Sequence, residues 1–310
     1  MLRVDAAPER GSSVIAQCLL RTSGGRAGNV AVMARRLHTP ARLFGCVGTD
    51  DLADQALTGP RSAGVDFAAF RRVPLDTGLA TILVDQAGTK TMIFAPGAND
   101  GFSNADGERL AAEVHGASPG SVLVVDTEVS PAALLPALQA VRESGRTSVL
   151  DPTRTDRVTD ELLGLADHVT PNADEAARIT GVRVDSPADA RRAAWLLRQR
   201  GARHVYVRLR EGGCLVLWPE GEALLRVRAA VTVVDTTGAG DAFAGTLATA
   251  MIARDPPVAA ARRAVAAAAC AVSRLGAQDP YPDRRALEAM AENIEATSPR
   301  RRPLQGRNRS

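Results

Sequence analysis

The chain has 310 residues, 45% hydrophobic, 24% charged and only 3% aromatic, which suits a packed globular body and excludes a disordered or fibrous chain. So few rings leave little from which to build a base-stacking surface for single-stranded nucleic acid. The net charge of +3 resides at the end of the chain: residues 297–310 hold five arginines and no acid, leaving the preceding body at −2.

The first residues, MLRVDAAPERGS, contain no apolar run of the kind that opens a secretory signal. A glycine-rich turn at Ser23–Gly28 precedes a helical pattern over 29–37. Short strand-like pieces follow at 42–47, 67–73, 80–85 and 91–95, with a turn at Gln86-Ala87-Gly88. These predict hairpins that form a small β-lid, built from parts of about 1–20 and 65–100. From Ser121 onward, β-branched runs at 122–125, 147–150, 168–169 and 204–209 alternate with helical patterns at 131–143, 174–180 and 188–199. That rhythm predicts an α/β fold in which a central, mostly parallel sheet is flanked by helices. The alanine-rich stretch 258–271 is broken by Arg262 and Arg263, so it predicts a buried helix and no membrane partner. Residues 1–296 are expected to form one domain, and 297–310 a solvated, disordered basic tail rather than a nucleic-acid arm.

Cys18, Cys46, Cys214 and Cys270 form no CxxC pair, so neither a zinc knuckle nor a disulfide framework is expected, and the cysteine usage fits a reduced, cytoplasmic protein. Lys90 is the only lysine and follows no glycine, which excludes the GxxxxGK[ST] phosphate loop and the protein-kinase lysine set. Phosphate chemistry would need another device. One is present at 231–247: a β-branched run ends at Asp235, a glycine turn follows at Gly238–Gly240, and a helical pattern begins near Asp241. Free amides and the positive end of a helix dipole converge there into an anion site. A carboxylate beside such a site can accept the proton of a hydroxyl attacking phosphorus. By position alone Asp241 also reads as a helix cap. The GxGxxG dinucleotide pattern is not completed, because Phe243 occupies its last glycine position.

Asp235-Thr-Thr-Gly-Ala-Gly-Asp-Ala-Phe243 resembles the C-terminal signature of the PfkB carbohydrate kinases, the ribokinase family. Gly24-Gly-Arg-Ala-Gly-Asn-Val-Ala31 is similar to the family's N-terminal signature, and Ala95-Pro-Gly-Ala-Asn99 resembles a ribokinase segment. The resemblance implies a ribokinase-like fold and an ATP- and Mg²⁺-dependent kinase acting on a primary hydroxyl of a small sugar, ribose first, with a β-lid able to make a homodimer. It places the catalytic base at Asp241 and the anion hole at Gly238, Ala239 and Gly240. It assigns sugar hydroxyls to Gly25, Asn29 and Glu128. Thr170-Pro-Asn-Ala-Asp-Glu-Ala176 resembles the family's NxxE motif, so Asn172 would serve the nucleotide and Glu175 the magnesium, through water; on its own the segment reads as a helix start. Asp235 and the Thr237 carbonyl resemble a monovalent-cation site suited to K⁺, completed by backbone near 275–277.

The chain also departs from the family. Members usually open with a strand and an aspartate that binds two sugar hydroxyls, whereas residues 2–14 align with the segment after it, so that strand and that ligand are expected to be missing here. The nucleotide loop reads Arg208-Leu-Arg-Glu-Gly-Gly213 in place of Thr-x-Gly-x-x-Gly. Gly213 is kept, and Arg208 and Arg210 become candidates for nucleotide phosphates. Alternative functions are a sugar- or nucleotide-binding relative without turnover and a nucleoside kinase.

Overall fold

A computed structural model describes residues 1–86, 88–297 and the backbone of 300–301. Two sheets and a separate strand pair are joined by ten α-helices among these residues. Strands β1 (Leu2–Arg3) and β2 (Cys18–Leu19) lead into helix α1 (Arg26–Arg36). Strand β3 (Cys46–Val47), helix α2 (Leu52–Ser62), strand β4 (Arg71–Arg72) and the hairpin β5 (Leu79–Val84) and β6 (Lys90–Ala95) come next. The α/β part runs α3 (Asn104–Gly116), β7 (Val122–Asp126), α4 (Pro131–Glu143), β8 (Thr147–Asp151), α5 (Asp160–Leu165), β9 (His168–Val169), α6 (Ala173–Thr180), α7 (Pro187–Gln199) and β10 (His204–Arg208). It closes with β11 (Cys214–Trp218), β12 (Gly221–Val227), α8 (Ala239–Ile252), α9 (Pro257–Ala271), α10 (Arg284–Ala291), β13 (Ile294–Ala296) and β14 (Arg300–Arg301).

The main sheet has the order β13-β12-β11-β10-β9-β8-β7. Strands β7 to β10 are parallel and β11 to β13 antiparallel. The parallel strands are continuous β-branched runs because helices cover both faces. On one face Val149, Tyr206 and Val216 pack on α1, α8 and α9; on the other Leu150, Val205 and Leu215 pack on α4, α5 and α7. Helix α8 is buried without interruption from Asp241 to Ala250, and the alanines of α9 let the two helices approach closely.

The lid is a four-stranded sheet, β2-β1-β5-β6. The piece at 67–73 does not join it. Its Arg71–Arg72 pairs in parallel with Cys46–Val47, so the two N-terminal pieces read as hairpin strands form a pair of their own. The hairpin turn includes Ala87, which lies outside the described residues. Of the segment expected to be a disordered tail, Thr297 donates its amide to Leu224, and the backbone of Arg300–Arg301 pairs with Gly221–Glu222; residues 298–299 and 302–310 lie outside the described residues. Among the described residues the main sheet stops at its other end at β7, which pairs with β8, and Val122, Leu123 and Val124 are only half-buried.

Candidate active site

The glycine turn leading into α8 is built as the sequence suggested, with one shift. Gly238, not Asp241, caps the helix: its φ of 77° is open to glycine, and a Cβ would strike the Ala277 carbonyl at 2.4 Å. Asp241 is therefore the third residue of the helix, 5% exposed, with its carboxylate turned into a cleft of about 2860 Å³. Tyr281 donates its hydroxyl to the Gly238 carbonyl at 3.1 Å, and the Ala239 amide makes a long 3.5 Å bond back to the Thr236 carbonyl within the turn.

Asp241 is held by a chain of side chains from distant segments. Asn29 donates to its Oδ2 at 2.6 Å, Gln278 donates to Asn29 Oδ1 at 2.8 Å, and Ser23 donates to Gln278 Oε1 at 3.2 Å. Asn29 is no cap. It lies inside α1, whose cap is Gly25 at φ 91°. Arg26, one turn before Asn29, projects into the same cleft, where its guanidinium lies 3.7 Å from Asp241 and from Asp151 and 3.4 Å from Glu128. These surrounding carboxylates push its pKa above the ordinary arginine value, against the opposing effect of burial.

Glu128 follows β7, and its Oε2 is buried without a hydrogen-bond partner. Glu128 lines the same cleft as Asp241, where a carboxylate can engage a hydroxyl. Gly25 borders the cleft with open space where a Cβ would be, so its backbone can be approached.

The nucleotide side differs more from expectation. Asn172 caps α6: its side chain accepts from Glu175 N, and Glu175 accepts from Asn172 N, both at 2.8 Å. Arg208 donates to Glu175 at 3.2 Å and to Asp151 at 3.1 Å, and lies over the Phe243 ring. It also covers Gly240, where a Cβ would meet its Nη1 at 2.1 Å. Arg210 turns away to pair with Asp174 on the surface. Gly213 is held by packing, since a Cβ there would strike the Leu225 carbonyl. Burial raises the pKa values of Asp151 and Glu175 despite Arg208, and lifts Asp126, at the end of β7, to about 7.

Asp235 is fully buried and accepts from Thr237 N at 2.8 Å and Gly276 N at 3.0 Å, which stitches the anion-hole turn to the loop near 275–277. No group of three acidic, histidine or cysteine ligands capable of holding a metal occurs among the described residues. No helix among them is long and apolar enough to cross a membrane.

The structure thus brings Asp241, Gly238–Gly240, Asn29, Gly25, Glu128 and Arg208 to one cleft. It adds Arg26, Ser23, Asp126, Asp151, Gln278 and Tyr281, to which the sequence reading gave no part in the site. The family model for pfkB family carbohydrate kinases matches residues 1–284. The chain belongs to this family. The chain is 30% identical to the ribokinase of Haemophilus influenzae over 262 residues, covering 84% of each chain. It is 30% identical to a deoxyribokinase of Salmonella typhi over 278 residues, 89% of each. Among solved structures, Arabidopsis thaliana ribokinase complexed with ribose and ATP superposes with a TM-score of 0.81 at 26% identity, covering 94% of each chain. Thermotoga maritima ribokinase gives 0.78 at 28%, with 94% and 95% covered. The ribokinase-like α/β fold and the class of reaction, phosphoryl transfer to a sugar, follow from this membership.

Proposed function

We propose that this carbohydrate kinase transfers the γ-phosphoryl group of ATP to a primary hydroxyl of a small sugar, with ribose the best-supported acceptor. The observation that carries this reading is the placement of Asp241 at the start of α8, beside the Ala239 and Gly240 amides, in a cleft that Glu128 also lines. Glu128, Asn29 and the Gly25 backbone bind the sugar hydroxyls. Asp241 takes the proton as the hydroxyl oxygen bonds to the γ-phosphorus and the bond to the ADP bridging oxygen breaks. Asn29 fixes the acceptor oxygen of Asp241, and the α8 amides stabilise the charge on the phosphoryl oxygens. Ribose is favoured because relatives named ribokinase align over most of the chain and a neighbouring structure contains ribose and ATP.

The donor set fits Mg²⁺ in one respect: Glu175 and Asp151 supply hard oxygens, and Asp151 Oδ2 has no hydrogen-bond partner. They would hold the ion through water, and it would neutralise charge on the nucleotide. Asp235 fits a monovalent cation such as K⁺, because it is a fully buried carboxylate bonded only to amides and so calls for a nearby positive charge. The Thr237 carbonyl would complete that site. Such an ion would rigidify the turn. Leu19, Leu79, Met92 and Ile93 are exposed on the lid, an apolar surface suited to a homodimer.

ADP release measured over a panel of pentoses, hexoses and nucleosides tests the reading. Turnover highest with ribose is expected, and turnover only with a nucleoside would overturn the acceptor. A second reading, binding without turnover, draws on Arg208 lying over Gly240; saturable sugar binding with no ADP release would favour it.

A further inference from the structure

The lid carries the chain's only lysine, Lys90, at the start of β6. Side chains alternate along a strand, and on β6 the residues that line the active-site cleft are Lys90, Met92 and Phe94. The tip of the β5–β6 hairpin rests on the backbone that leads into the α8 turn. A Cβ on Gly88, at φ 75°, would meet the Val234 carbonyl at 3.1 Å and the Val233 carbonyl at 3.3 Å. Asp85 pins that tip by accepting from Thr89 N at 2.8 Å. Lys90 follows directly, in the cleft that Ala239, Gly240 and Asp241 also line.

The cations gathered there differ in their partners. Arg26 is shared by Glu128, Asp151 and Asp241, and Arg208 by Asp151 and Glu175. The Lys90 ammonium has neither hydrogen bond nor ion pair among the described residues. Lys90 remains open to solvent, yet the protein around it withdraws enough water to lower its pKa, an effect that Arg26 reinforces and Asp241 opposes. An unpaired ammonium on the lid and the α8 amides on the body recognise the same chemistry, an oxyanion.

We infer that Lys90 bonds the oxygens of the phosphoryl group in transit, so that the lid supplies one part of its charge stabilisation and the Ala239 and Gly240 amides the other. The inference deepens the proposed transfer from ATP to a sugar and rests on it. Lys90 takes no proton and forms no covalent bond. Asp241 receives the hydroxyl proton, and the ammonium neutralises the phosphoryl oxygens as the bond to ADP breaks. A point charge on a flexible stem can follow the moving phosphorus without a fixed fork geometry. Because that charge comes from the lid, the stabilisation is complete only while the hairpin tip rests on residues 233–234.

A chain with one lysine allows a direct test. The full chain is acetylated with an N-hydroxysuccinimide ester, and modification of Lys90 is followed by peptide mass spectrometry, apart from that of the amino terminus. β,γ-Imido-ATP with Mg²⁺, at about ten times its dissociation constant, is expected to slow the modification about tenfold. ADP, without the transferred phosphoryl, should protect far less, and ribose or adenosine alone should not protect. Equal protection by ADP, or protection by ribose alone, would overturn the assignment. Calorimetry separates the two readings: binding of the analogue without protection removes this inference alone, whereas no binding removes the ATP reading and this inference together. With whichever acceptor turns over, Lys90→Met should lower kcat about 10²-fold, the scale of losing one donor to transition-state charge. The KM for the acceptor and Tm should stay unchanged, and Lys90→Arg should recover most of the loss. Full turnover in Lys90→Met would overturn the proposal.

Discussion

The two sides of β8 behave differently. Toward β9 to β12 the strands are buried on both faces, and Leu150, Val205 and Leu215 are at most 1% exposed; toward β7 and β3 the sheet thins to a half-buried edge and a two-residue pair. The candidate site residues sit where the halves meet, with Asp241, Asn29 and the α8 turn on the dense side and Glu128, which follows β7, on the open one. On the proposed function, the phosphoryl end would then rest on the dense packing and the sugar end on the looser one.

The largest expected effect lies on the dense side. Asp241→Asn should lower kcat about 10³-fold, the usual scale for a general base, while leaving Tm almost unchanged because Asn29 can still be bonded; steady-state assay and calorimetry check both parts. Arg208→Met should cost about 3 kcal/mol in denaturant unfolding, because Asp151 and Glu175 lose the guanidinium between them. Leu150→Ala should cost about 3 kcal/mol but Leu43→Ala, which lines the cleft, about 1 kcal/mol, since a cavity costs less where its surroundings are already loose. Equal costs would erase the contrast between the halves.

The smallest effect depends on pH. Burial lifts Asp126 to about 7, so between about pH 4 and 7 the folded chain keeps a proton that the unfolded chain has released. Its contribution to stability is complete below pH 4 and is lost as pH rises through 7. Asp126→Asn keeps the acceptor used by Glu128 N. It should stabilise the protein by up to about 2 kcal/mol more at pH 8 than at pH 4, a figure reduced for the solvent reaching this half-buried strand. Urea titrations at the two pH values provide the check.

What could be read in the sequence follows the same division. Strands β7 and β8 and helix α4 were legible to within a residue, because long β-branched runs and a proline-started helix obey simple periodicities. Strands β3 and β4 were misjudged because two-residue elements carry no period, and tertiary contact alone decides their pairing. The position of Arg26 was within reach: with α1 capped by Gly25 and starting at Arg26, Arg26 and Asn29 are three apart on one helix face. Gln278 and Tyr281 had no local signal, since their partners lie 249 and 43 residues away. The pairing of Arg208 was hidden because Asp151 ends strand β8 while Glu175 lies in the first turn of helix α6.

The double grip of Asp235 has a consequence for motion. Because one buried carboxylate clasps the amides of both Thr237 and Gly276, neither loop can swing out alone without stranding a charge in the interior. The two amides should therefore share one opening equilibrium, so that hydrogen exchange at Thr237 and Gly276 rises and falls together.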